Sequence, residues 1–123
     1  MIRLVVVALL LAAPAISKSP DWPAVYAEAT GWLQDLVRLD TSNPPGNCLA
    51  AVEYLEALAK REGLATKRYE ADLKSGRVNL LVTLKGKGRG KPLLMLAHLD
   101  VVPAEASQWK FPPFDPSIRD GEI

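Results

Sequence analysis

Apolar residues fall along this chain in successive patterns, and each predicts a different kind of segment. From Leu4 to Ala13 the run is continuous, preceded by Arg3 and followed by Ala13-Pro14-Ala15. A basic start, a short apolar stretch and small residues form the pattern of a secretory signal, placed at residues 1–17. The stretch is too short to cross a hydrocarbon layer of about 30 Å as a helix. No Cys follows it to carry a lipid. The expectation is an exported protein, periplasmic or extracellular, with no stable membrane span once the signal is removed.

Beyond Lys18 the pattern changes to helical spacing. Trp22, Val25, Tyr26, Ala29, Leu33, Leu36 and Val37 recur at intervals of three and four, which predicts a helix over about Trp22 to Leu39. Asp21 is placed to cap it, and Pro23 is tolerated in a first turn. The run Asp40-Thr41-Ser42-Asn43-Pro44-Pro45-Gly46-Asn47 is polar and stiff, a loop. Asn47 is suited to start a second helix that reaches Glu62, with Leu49, Val52, Leu55 and Ala59 inward and Glu56 and Lys60 paired outside. Gly63 ends that helix.

Period-two patterns follow. Thr66 to Glu70 is a weak strand, and Val78, Leu80, Val82 and Leu84 alternate with Asn79 and Thr83 as a half-buried one. Leu93 to Leu99 is nearly all apolar, which predicts a central strand covered on both faces. The glycine-rich stretch Lys85 to Pro92 has the wrong spacing for a phosphate-binding loop and reads as a solvated hairpin turn. Ile118-Arg119-Asp120-Gly121-Glu122-Ile123 reads as strand, Asp-Gly turn and returning strand. That strand stops almost as it starts, so the expectation is a sequence cut from a longer domain.

Helices and strands together predict an α/β fold, and 123 residues suffice for one small domain. Hydrophobic residues make up 49% and charged residues 24%, ordinary for a folded chain. Removing the signal takes away Arg3, leaving 14 basic against 14 acidic residues. A charge near zero offers no electrostatic footprint for nucleic acid. Cys48 is the only cysteine, so no disulfide forms within the chain, and it reads as a small buried hydrophobe.

The chemistry lies in His98-Leu99-Asp100. Residues two apart on a strand point to one side, so the only histidine of the chain and a carboxylate can be neighbours. The end of a strand in an α/β sheet is also where ligands bind. His98 can hold a metal through one ring nitrogen while Asp100 accepts a hydrogen bond from the other. Alternatively the pair is a His/Asp base awaiting a nucleophile. In the plainer reading His98 closes the strand and Asp100 opens a turn before Pro103. Spacing alone does not choose among these.

The surroundings add a resemblance. His98-Leu99-Asp100-Val101-Val102-Pro103, then Trp109, then Phe111-Pro112-Pro113-Phe114, then Ile118-Arg119-Asp120-Gly121 resembles the aminoacylase/carboxypeptidase family of zinc hydrolases. That family includes acetylornithine deacetylases and succinyl-diaminopimelate desuccinylases. Arg38 to Asn47 resembles the family's N-terminal signature. The resemblance covers about Trp32 to Ile123.

It implies that residues 18–123 are the N-terminal portion of a zinc-peptidase-like α/β catalytic domain, with a mixed sheet, flanking helices and no lid domain. By the resemblance His98 is the first zinc ligand, and Asp100 is the catalytic-site aspartate that holds the histidine without binding metal. Two zinc ions are implied, or cobalt or manganese in their place. The implied substrate is an acyl amino acid or small peptide, and the missing lid domain is where a homodimer would form. The bridging aspartate, the Glu-Glu pair with the general base and the second histidine find no match here, so the chain alone is expected to be inactive. The resemblance implies that the Asp40-to-Asn47 loop shapes a wall near the site, but a rigid connection between helices is the preferred expectation; Trp109, Phe111 and Phe114 are expected to be packing anchors. The competing reading is a non-catalytic α/β binding or interaction module. A Ser hydrolase ranks last, for lack of a G-x-S-x-G elbow.

Overall fold

The computed structural model describes residues 19–123 apart from Leu73. The expected signal at residues 1–17 lies outside the described residues. Two helices and a two-stranded antiparallel sheet make an α/β arrangement, followed by a long segment of irregular backbone. Among the described residues no helix is long and apolar enough to cross a membrane.

Helix α1 spans Trp22–Val37, and Asp21 Oδ1 accepts the Ala24 N–H at 3.3 Å, the cap the sequence predicts. Its apolar stripe forms but stays largely uncovered. Trp22, Val25, Tyr26 and Leu33 are exposed, and the helix has no buried residue. Two polar ties hold it instead: Gln34 Nε2 donates to the Pro116 carbonyl at 2.8 Å, and Asp35 accepts from the Tyr54 hydroxyl at 2.9 Å.

Helix α2 spans Leu49–Arg61. Asn47 Oδ1 accepts the Leu49 N–H at 3.1 Å, one step earlier than a standard cap, because Cys48 occupies the cap position itself. At the other end Gly63 adopts φ +70°, with Gly63 N–H on Lys60 O and Leu64 N–H on Ala59 O. That pair of bonds is a Schellman closure, which glycine permits without a Cβ penalty. The small core gathers under this helix around Val52, Ala51 and Ala59, with Val78 and Cys48.

Strands β1 (Ala65–Asp72) and β2 (Arg77–Thr83) pair antiparallel, Thr66 opposite Val82 and Arg68 opposite Leu80. Alternation puts Thr66, Arg68, Val78 and Leu80 on the face toward α2. Glu56 reaches that face: it accepts from Thr66 Oγ1 at 3.1 Å and from Arg68 at 2.6 Å, and meets Lys60 at 3.2 Å. The predicted Glu56–Lys60 pair exists, but Glu56 sits between helix and sheet rather than outside. Arg68 is the chief reason its carboxyl titrates below the usual range.

The largest departure from expectation is Leu93 to Leu99. It is no strand here. The stretch has no ladder partner among the described residues, and Leu93, Met95 and Leu96 are each more than four-fifths exposed. A strand exists only when a neighbour takes up its N–H and C=O groups, and neither β1 nor β2 lies alongside. For the same reason Lys85 to Pro92 is a solvated connection and not the turn of a hairpin. At the end of the chain Arg119 and Glu122 do pair, with Asp120 at φ +53° and Gly121 at φ +86°, the left-handed turn predicted for Asp-Gly.

Candidate functional site

The site forms where the Asp40-to-Asn47 loop meets the end of the apolar stretch. Thr41, buried, donates its hydroxyl to the Leu99 carbonyl at 2.7 Å. Val101 N–H reaches Thr41 O at 3.3 Å, and Asn43 N–H reaches Val101 O at 2.9 Å. These bonds make a short parallel bridge between Ser42 and Val101. The loop therefore does what a neighbouring strand would do, but only at this end of the stretch. Asp40 stiffens the loop by accepting the Ser42 N–H at 2.9 Å, and the Ser42 side chain, followed by that N–H, lowers its carboxyl pKa.

His98 and Asp100 are brought together as the spacing suggests. His98 Nδ1 lies 3.2 Å from Asp100 Oδ1 and 2.9 Å from the Asp100 carbonyl oxygen. Both partners accept only, so the arrangement favours the proton on Nδ1 and leaves the Nε2 lone pair available. The other carboxylate oxygen, Asp100 Oδ2, accepts from Asn43 Nδ2 at 3.0 Å. The Asn43 amide, more than any other group, holds the Asp100 carboxyl below its usual range, with His98 adding to the effect. Asp100 is thus an anion at neutral pH, with each oxygen assigned a donor.

Asn43 is the residue that sequence reasoning missed. Of the two readings of the Asp40-to-Asn47 loop, the preferred rigid connection and a wall near the site, the Asn43–Asp100 bond favours the second. Its signal was the amide side chain next to Pro44, in a loop without an evident partner. Cys48, by contrast, keeps its expected part. It is buried, and burial followed by the negative charge of Asp100 raises its thiol pKa, so it stays protonated.

His98 also borders an apolar groove of about 560 Å³ between α1 and the segment beyond Pro103, lined by Leu36, Leu39, Trp109 and Phe114 among others. Trp109 and Phe111 are not the packing anchors expected of them: both are exposed. Phe111 instead carries the Arg119 guanidinium 4.0 Å above its ring. Arg119 also bonds Asp115 at 2.5 Å, and the Ser117 hydroxyl, followed by Arg119, drives the Asp115 pKa down to about 2.

Metal-binding capacity is limited here to a single good donor. Among the described residues no group of three or more His, Cys, Asp and Glu side chains converges. A neutral imidazole fixed at Nδ1 by a carboxylate is a fitting nitrogen ligand for zinc, but zinc takes three or four protein ligands. The donor set therefore fits one corner of such a site and not the whole.

Comparison with known proteins bears on the same segment. Over 94 residues the chain is 36% identical to a succinyl-diaminopimelate desuccinylase of Delftia acidovorans, an alignment covering 73% of this chain and 24% of that protein. The chain thus spans about a quarter of the length of the curated relative it matches. By its name, that relative is an enzyme that removes a succinyl group. No family model matches the chain, and no solved structure matches it.

Proposed function

We propose that this chain is the N-terminal part of an exported hydrolase of the aminoacylase/carboxypeptidase type, which cleaves an amide bond in an acyl amino acid or small peptide. The observation that carries the reading is the His98 imidazole with Nδ1 3.2 Å from Asp100 Oδ1 and 2.9 Å from the Asp100 carbonyl oxygen, an arrangement that favours a bare Nε2. The likeness to a desuccinylase supports the same reaction class.

In this reading His98 would hold one of two zinc ions through Nε2. Asp100 binds no metal; it keeps Nδ1 protonated and makes the imidazole a stronger donor. Zinc bound there would supply polarisation of the scissile carbonyl and a water more acidic than bulk water. The apolar groove beside His98 is suited to exclude water and to take an apolar part of the substrate. The remaining ligands and the general base lie outside the described residues, so the chain of 123 residues is expected to be inactive by itself. Dimerisation through a lid domain belongs to the same reading.

The test is hydrolysis of N-succinyl and N-acetyl amino acids and of dipeptides by the longer protein this reading requires. Turnover that is lost on chelation and lost in His98→Ala supports the reading. Turnover indifferent to both overturns it. The competing interaction-module reading is favoured by the exposed side chains of Leu93 to Leu96, and it predicts no turnover at all.

A further inference from the structure

We propose that Asn43 is a positioning residue: it fixes the rotation of the Asp100 carboxylate and so sets one of the two acceptors that face His98 Nδ1, the other being the Asp100 carbonyl oxygen at 2.9 Å. This rests on the functional reading above and deepens it. The argument begins with torsion. The terminal torsion of an aspartate is broad and roughly two-fold, so nothing intrinsic to Asp100 keeps Oδ1 facing a ring nitrogen. Asp100 is also partly exposed, and the His98 ring is almost wholly so, so packing does not set either side chain. Asn43 Nδ2 on Oδ2 at 3.0 Å supplies the missing constraint, and Oδ1 is left toward Nδ1 at 3.2 Å.

The constraint is credible because Asn43 is itself held. Its backbone N–H bonds Val101 O at 2.9 Å, and Thr41, two positions earlier, is pinned to Leu99 O. The amide therefore starts from a backbone tied on both sides of Asp100. A carboxylate can only accept, so it settles which end of the Asn43 amide points inward. The chain of control runs from loop to aspartate to histidine, and it requires no metal to be observed.

The experiment is nitrogen NMR of the imidazole in the full 123-residue chain, at a pH where the ring is neutral. The single histidine makes assignment direct. The wild type is expected to show a protonated Nδ1 and a bare Nε2. Asn43→Asp, which keeps the shape but replaces the donor by an acceptor, and Asn43→Ala should both lower the share of the Nδ1-protonated ring, with the Asp100 carbonyl oxygen at 2.9 Å remaining as its second acceptor. A ring that keeps its wild-type share of Nδ1 protonation in a variant with an unchanged Val101 amide signal overturns the role of Asn43, and leaves the His98–Asp100 reading standing. A wild-type ring already protonated at Nε2 overturns the His98–Asp100 contact, and both readings with it. Should the variants fail to fold, the wild-type Asn43 side-chain amide decides: protons shifted and slow to exchange support the proposal, and the signature of a free amide overturns it.

Discussion

Thr41 and Leu99, 58 positions apart, are joined by a hydrogen bond of 2.7 Å from hydroxyl to carbonyl. Thr41 is only 6% exposed, and no other residue of the Asp40-to-Gly46 turn ties the loop to Leu99 by a side chain. Thr41→Val keeps the volume and removes the donor, leaving the Leu99 carbonyl without its partner. The expected loss is about 1–3 kcal/mol, by the usual cost of an unsatisfied group. Urea unfolding of the two proteins measures it, and an unchanged midpoint would remove Thr41 from the account.

Among the described residues Val52 is the one large side chain fully enclosed, at 0% exposure. Val52→Ala should destabilise by about 2 kcal/mol, from lost apolar burial and the cavity left behind. Ala57→Gly or Ala50→Gly on the exposed side of α2 should cost no more than about 1 kcal/mol. Chemical denaturation would separate the two kinds of change.

Gly76 closes the turn before β2 at φ +71°, its carbonyl accepting the Cys48 N–H at 3.2 Å. A Cβ there would run into the side chain of Asn47. Gly76→Ala should therefore cost more than the about 1–2 kcal/mol of a left-handed residue alone. The Leu49 N–H, which Asn47 now accepts, should exchange faster with solvent.

Stability should fall in acid for a reason traceable to single groups. Asp115 titrates at about 2 in the folded chain against an ordinary value of 3.8, because Ser117 and Arg119 bond its anion. A depressed carboxylate contributes stability that is complete above the unfolded pKa and lost as pH falls through the folded one. The window for Asp115 is thus from just above pH 3.8 down to about 2. Glu56, Asp100, Asp40 and Asp72 shift the same way and add to the slope. Thermal midpoints across this range should decline in the wild type and less steeply in Asp115→Asn.

In the longer enzyme of the proposed function, Asp100→Ala should lower metal affinity or turnover by about 10- to 100-fold, the usual cost of losing the group that orients a metal-bound histidine. Metal content after dialysis and kcat on the preferred amide would both read it. Full retention of each would end the assignment.

What the sequence determined is local. Helical spacing from Trp22, the Asp21 cap, the Gly63 stop, the strand around Val78 to Val82 and the Asp120-Gly121 turn are all written in neighbouring residues, because turn chemistry and side-chain periodicity act over a few positions. The His98–Asp100 contact was legible for the same reason, being two residues apart. Tertiary structure decided the rest. Whether Leu93 to Leu99 becomes a strand depends on a partner for its backbone, and the described residues bring none. Whether α1 buries its stripe depends on what lies against it. Glu56 was read as a surface charge until β1 placed Arg68 over it. The same holds for Asn43: its amide gains a meaning only when the chain folds back by 57 positions to set Asp100 beside it.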